Sequence, residues 1–287
     1  ILLSTVLLAG FIFSLRGLFV LQNGTDQVQN IDALYLVNAP TVLFTALYLV
    51  GFAILTLSTR KILIPLISAI LSLIPMIAMG AVLQRASFGA LTLSGIFLSS
   101  LVLRHNLLRF LLICLLTAGG FILFKDIFLP LLLDLFEKNR AVGSNMRLFE
   151  LMAVWERVAN SSITALFGRG WGGTVQSPAV GDLTVNFTHS LLSASLLKTG
   201  MIGTLLTVCF LLSLLLRFPF LFKISPLLSL ALFWPFVIDI FLYASYKSLD
   251  FGFILMLIAC YGVHGSKITN KQKADTRAQN TINHKGF

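Results

Sequence analysis

Apolar runs long enough to cross a bilayer constrain this chain more than any other feature. A membrane helix needs roughly 20 mostly apolar residues. Eight segments qualify or nearly qualify, at about 1–20, 40–58, 62–83, 87–103, 108–124, 190–216, 225–244 and 250–264, the fourth and the last being short. Only 11% of the 287 residues are charged, against about 25% in an ordinary soluble domain. A soluble fold of this length could not hide the 57% that are hydrophobic. The expected fold class is therefore all-α, a polytopic transmembrane helix bundle. The same composition excludes a disordered chain, a collagen and a disulfide scaffold.

The fourth run carries Ser87, Gly89, Ser94, Gly95, Ser99 and Ser100, small residues that suit close helix packing. Cys114, Cys209 and Cys260 all sit inside apolar runs and are expected as small packing residues, with no disulfide or zinc spacing. The chain opens at Ile1, already inside an apolar run and without a charged leader, so further sequence upstream is expected and a signal peptide is not.

Charge sets the orientation. Lys267, Lys271, Lys273, Arg277 and Lys285 against Asp275 make residues 265–287 a basic tail. Such tails lie in the cytoplasm. Threading back from it puts Arg217 with Lys223, Arg104 with Arg109, and Arg60 with Lys61 in cytoplasmic turns. Ten of the eleven acids fall on the other side. One alternating assignment satisfies every short loop, so the net charge of +10 reflects membrane topology and not nucleic acid. The expected organisation is spans one to five in 1–124, an outer loop over 125–188, spans six to eight in 189–264 and the tail.

The outer side receives a loop at 21–39, the turn around Arg85, the turn around Lys247 and the long segment 125–188. Within the last, Leu148, Leu151, Met152, Trp155 and Val158 recur at helical spacing, with Arg147, Glu150, Glu156 and Arg157 on other faces. The pattern predicts an amphipathic helix over 147–159, lying on the membrane surface or on the bundle. A glycine-rich run follows, Gly168-Arg169-Gly170-Trp171-Gly172-Gly173. It matches GxGxxG literally, but no strand precedes it, so a dinucleotide site is rejected. It reads as a tight turn, or as backbone approaching a ligand with Arg169 free for an anion. His189 stands at the outer mouth of a span. Arg85, Arg147 and His189 thus place two fixed cations and one titratable base on one side of the membrane. Two arginines suit a diphosphate, and a histidine suits proton abstraction near neutrality.

From Gln84 to Arg217 the chain resembles the O-antigen ligase and O-antigen polymerase family of bacterial envelope proteins. Three pieces carry the resemblance. Arg85-Ala86-Ser87-Phe88-Gly89-Ala90-Leu91 opens a span, with Gln84 where the family has Ser. Ser144-Asn145-Met146-Arg147-Leu148, then Trp155, then Leu166-Phe167-Gly168-Arg169-Gly170-Trp171-Gly172 looks like the family's arginine helix and glycine turn, without its usual Pro. His189-Ser190, nine residues, then Gly200-Met201-Ile202-Gly203 is similar to the family signature His-(Asn/Ser/Gln)-x9-Gly-x-x-Gly and is the most specific of the three.

The resemblance implies transfer of a saccharide from an undecaprenyl-diphosphate-linked donor to an acceptor hydroxyl outside the bacterial inner membrane. The acceptor would be the lipid A core or another lipid-linked glycan. It implies His189 as the general base, and Arg85, Arg147 and, more weakly, Arg169 as the diphosphate clamp. Gly200 and Gly203 would let the span pack tightly on a neighbour. No cofactor and no metal are expected, since the donor carries its own activated bond and the chain has neither a phosphate loop nor an Asp-x-Asp pair. Lys198 lies roughly 13 Å beyond His189 along an ideal helix. Asp239, in the span broken by Pro235, is its candidate partner in a structural ion pair; a contact to the lipid diphosphate or a polyprenyl-channel lining is the alternative. The rival function is a transporter or flippase of a lipid-linked or anionic substrate, though neither internal repeats nor paired broken helices are visible.

Overall fold

The computed structural model describes residues 1–23, 27–57, 62–123, 125–126, 129–130, 133, 146–242 and 247–263. Arg60, Lys61, Ser144, Asn145 and the basic tail lie outside the described residues. Helices dominate. The first six are α1 (Leu2–Asn23), α2 (Gln27–Val37), α3 (Pro40–Thr56), α4 (Leu63–Ala81), α5 (Arg85–His105) and α6 (Leu107–Leu123). After them come α7 (Met146–Ala159), α8 (Ser162–Phe167), α9 (Leu191–Leu215), α10 (Phe218–Ile224), α11 (Pro226–Phe241) and α12 (Leu249–Val263).

All eight apolar segments are helical. Among the described residues, four helical runs are long and apolar enough to cross a membrane: Leu2–Gln22, Leu63–Ala81, Arg85–His105 and Leu191–Ile224. Four further apolar helices have 10–17 residues. Their outward faces are apolar too. On α4, Leu63, Leu66, Ile67, Ile70, Leu73 and Ile77 are all exposed. A soluble monomer does not present such a surface to water, so this is a membrane protein.

The core centres on α3, where every residue from Pro40 to Leu47 is buried. It packs on α1, α4, α5 and α11. Lipid tails are as apolar as leucine, so close packing and interhelical hydrogen bonds hold such helices together. The bonds are present. Thr45 Oγ1 donates to Leu7 O (3.2 Å), Ser68 Oγ to Leu49 O (2.8 Å) and Trp234 Nε1 to Ser94 Oγ (2.8 Å). Gly10 lets α1 approach Thr41 and Thr45, where a Cβ would strike the α3 backbone.

Several expectations need correction. Residues 21–39 are no simple loop: α2 fills most of them and packs on α1. Gln84 is buried because its amide donates to Val37 O (3.0 Å) and Asn38 Oδ1 (2.6 Å), while Ser87 donates to its Oε1 (2.7 Å). On α5, Ser87 and Ser94 are buried, but Gly89 and Gly95 face open space. All three cysteines are exposed, on the outward flanks of their helices. Among the described residues the all-α class holds apart from one antiparallel hairpin, β1 (Val175–Ser177) with β2 (Leu183–Val185), pairing Val175 with Val185. The hairpin turns through Gly181 (φ 71°) and Asp182 (φ 60°). It caps a small second core of Val154, Val158, Val175 and Leu197, which ties α7 and β1 to the first turns of α9.

Candidate functional site

The helix start at Ser190 fixes His189. Ser190 is the N-cap of α9, its hydroxyl accepting from Ser193 N (3.1 Å). Buried Thr188 donates to Ser190 O (3.1 Å) and accepts from Ser193 Oγ (2.8 Å). These bonds lock the backbone on both sides of His189. Against it stands Glu150 of α7, only 1% exposed. One carboxylate oxygen accepts from His189 N (2.9 Å), the other lies 3.1 Å from His189 Nδ1, and Ser177 Oγ of β1 donates to that same oxygen (2.6 Å). Three elements distant in sequence converge on one carboxylate.

An ionised carboxylate only accepts, so the proton of a neutral imidazole sits on Nδ1 and the lone pair on Nε2. The imidazole side chain is 28% exposed, so its other edge is open to a substrate. Burial alone pushes the Glu150 carboxyl up. Hydrogen bonds from the His189 ring, the Ser177 hydroxyl and the His189 amide outweigh it and hold the group below its ordinary value. The sign for stability follows. A depressed carboxyl stabilises fully above its unfolded value of about 4.3 and loses that contribution as pH falls through the folded value. Melting curves taken at falling pH should show the gap between wild type and Glu150→Gln narrowing as pH falls below the unfolded value of about 4.3 toward the lower folded value. A constant gap would contradict the pairing.

Two cations lie on or against the residues that flank this pair. Arg147 lies one turn before Glu150 on α7, and positions three apart share a helix face. Lys247, just ahead of α12, places Nζ 4.4 Å from the centroid of the Phe187 ring, and that ring meets His189 edge-on at 5.9 Å. Burial pushes the Lys247 ammonium down, and the Lys198 cation adds to it. Lys198 does not need Asp239. Its ammonium donates to Trp171 O (2.7 Å) and Gly173 O (3.1 Å) of the glycine turn.

That turn has a structural reason. At Gly200 (φ 66°, ψ −165°) α9 breaks. Gly168 (φ 76°) lies against the break, and a Cβ on either glycine would strike the other's backbone. The strands of chain are stitched by Arg169 N to Leu197 O (2.9 Å) and Gly170 N to Lys198 O (3.0 Å). Gly200 thus serves a loop and not a neighbouring span. At Gly203 a Cβ would strike Thr199 of its own helix. Both Gly168 and Gly200 hold a conformation essentially reserved to glycine, so Gly200→Ala should cost about 2 kcal/mol or more. The checks are a lower melting temperature and new protease cleavage between α8 and α9; an unchanged melt would contradict the interlock.

The remaining expected residues stand differently. The exposed Arg169 guanidinium donates to Arg157 O (3.2 Å), near the end of α7. It ties the turn to α7. Arg85 opens α5, whose main contacts are with α3, α6 and α11. The starts of α5 and α9 pack on the same core, through Phe88 and through Leu191 and Leu192. Glu150, Ser177 and Lys247 are the residues that sequence reasoning did not assign. A signal for Glu150 existed: spacing puts it on one face with Val154 and Val158, and that is the buried face of α7. The stripe of Leu148, Leu151, Met152 and Trp155 is the exposed one. Among the described residues no group of three or more His, Cys, Asp or Glu gathers as a metal site. Compared with family models, with curated proteins and with solved structures, the chain finds no match.

Proposed function

We propose that this chain is a glycosyltransferase of the bacterial inner membrane, of the O-antigen ligase or O-antigen and exopolysaccharide polymerase type. It moves a saccharide from undecaprenyl diphosphate to an acceptor hydroxyl at the periplasmic face. The observation that carries the reading is the buried Glu150 carboxylate on His189 Nδ1. A reaction that removes a hydroxyl proton needs a base held in one tautomer.

In the proposed step the acceptor oxygen gives its proton to His189 Nε2 and attacks the anomeric carbon. The bond from that carbon to the phosphate oxygen breaks, and undecaprenyl diphosphate leaves with the electron pair. Displacement inverts the anomeric configuration. Arg147, Lys247 and Lys198 stabilise the leaving charge, with Arg85 and Arg169 as further candidates for the clamp. Phe187 links the Lys247 ammonium to the imidazole through legs of 4.4 and 5.9 Å, which suits a base on one side of the anomeric carbon and a phosphate on the other.

The membrane arrangement belongs to the same proposal: eight spans, the segment 125–188 periplasmic and the tail cytoplasmic. Exposed Leu148, Leu151, Met152 and Trp155, with Trp171, suit a surface resting on the headgroups. α9 alone, Leu191–Leu215, has 25 residues, more than the roughly 20 a crossing needs. The first turn of α9 can then stand above the hydrocarbon, with Lys198 near its edge. Reporter fusions at Val142 and Gly181 should read as periplasmic, and one after Lys273 as cytoplasmic. A cytoplasmic reading at Gly181 would invert the site and end the proposal. The functional test is transfer by the purified protein in detergent, from a lipid-linked donor to candidate acceptors. Product should form and persist in EDTA, the leaving charge resting on side-chain cations. No product with any acceptor, or abolition by EDTA, would contradict it.

A further inference from the structure

A cavity of about 580 Å³ lies between α7 and the β1–β2 hairpin, on a face of α7 separate from the Glu150 face. Its size falls among ordinary small-ligand sites, but its lining does not. Glu156, Arg157, Asn160, Gln176, Asp182 and Thr184 furnish two carboxylates, one guanidinium, two amides and a hydroxyl. The lining carries a net charge of −1, which argues against an anion. Donors and acceptors are interleaved, which is the chemistry of a ligand carrying many neutral hydroxyls. The cavity also shares its walls with the Glu150–His189 pair. On β1, Gln176 lines the cavity while the next residue, Ser177, donates to Glu150. On α7, Ala153 at the near end of the lining lies one turn from Glu150. At about 100° per residue, the lining positions 153, 156, 157 and 160 point about 140° away from the exposed apolar stripe. With that stripe on the membrane, the cavity opens toward water.

From this we infer that the cleft between α7 and the hairpin is a binding site for an uncharged saccharide chain, which it leads along α7 toward His189. The inference rests on the transferase reading for its purpose but not for its test. The full chain in detergent is applied to an array of charged and uncharged bacterial surface glycans, with no donor lipid present. Wild type and His189→Ala should both bind uncharged glycans. Asn160→Ala with Gln176→Ala removes two amide partners and should weaken binding about tenfold or more. Thr184→Trp should fill the cleft and abolish binding. All three positions are exposed, so unchanged melting temperatures will show that the fold survives. Absence of binding to any uncharged glycan, or binding untouched by both cleft variants, overturns the site.

A kinetic arm then identifies the source of the chain. A raised KM for acceptor at preserved kcat assigns the cleft to the acceptor glycan; a raised KM for donor assigns it to the donor glycan. Glycan binding lost in the cleft variants, with no transfer by wild type, would sink the transferase and leave the saccharide site standing. Transfer at wild-type KM for both substrates by the cleft variants would do the reverse.

Discussion

Glu150→Gln is expected to slow saccharide transfer by roughly 10²–10⁴-fold, the range of an acid–base group put out of action. The substitution keeps size and removes charge. Its amide still offers one oxygen, but it sets an NH2 against a site where the His189 amide, the His189 ring and the Ser177 hydroxyl all donate. Either a donor loses its partner or the imidazole turns to the wrong tautomer, and Nε2 ceases to be the base. Membrane insertion should be unaffected. The readout that separates this from simple destabilisation is the split of the loss: kcat falls while KM for donor and acceptor stays near wild type. Loss in KM alone would mean that Glu150 shapes the pocket and does not orient a base.

His189→Ala should be at least as damaging, slowing transfer by roughly 10²–10⁴-fold or more in protein that inserts and purifies normally, with a residual rate still measurable above background. The imidazole is partly exposed, so its removal leaves no large cavity. The truncation leaves the Thr188–Ser190–Ser193 bonds and the His189 amide bond to Glu150 in place. A near-normal rate in the alanine variant would make His189 an interfacial residue only.

Much of the fold is legible in the sequence because length and hydropathy are one-dimensional properties. Each of the eight apolar runs is a helix, and the 3.6-residue period over 147–159 marks α7 within a residue of its ends. What the pattern does not show is the face of α7 that turns inward. An apolar stripe on an isolated helix reads as its buried face only when water is the sole alternative. Here Leu148, Leu151 and Met152 face outward, and the inward face is built from two valines and a glutamate.

Glu150 looked like a solvated charge because its partner stands 39 residues away. Ser177 was hidden in a hairpin whose strands have three residues each, too short for any alternation to show. The break in α9 was equally invisible. The apolar run resumes past Gly200, and only the approach of Gly168 explains why the chain must bend there. Lys198 followed the same error, since its partners are loop carbonyls that the bend brings near. His189 was legible as a residue at a helix mouth, but its tautomer was not.

The most direct test of the Glu150–His189 pair as one catalytic unit is a double-mutant cycle on transfer by purified protein, using labelled donor to follow slow variants. If Glu150 acts only through His189, adding Glu150→Gln to His189→Ala costs nothing more, and the double variant matches His189→Ala within a few fold. Losses that multiply would mean that the two residues act separately, and the account of an oriented base would be wrong.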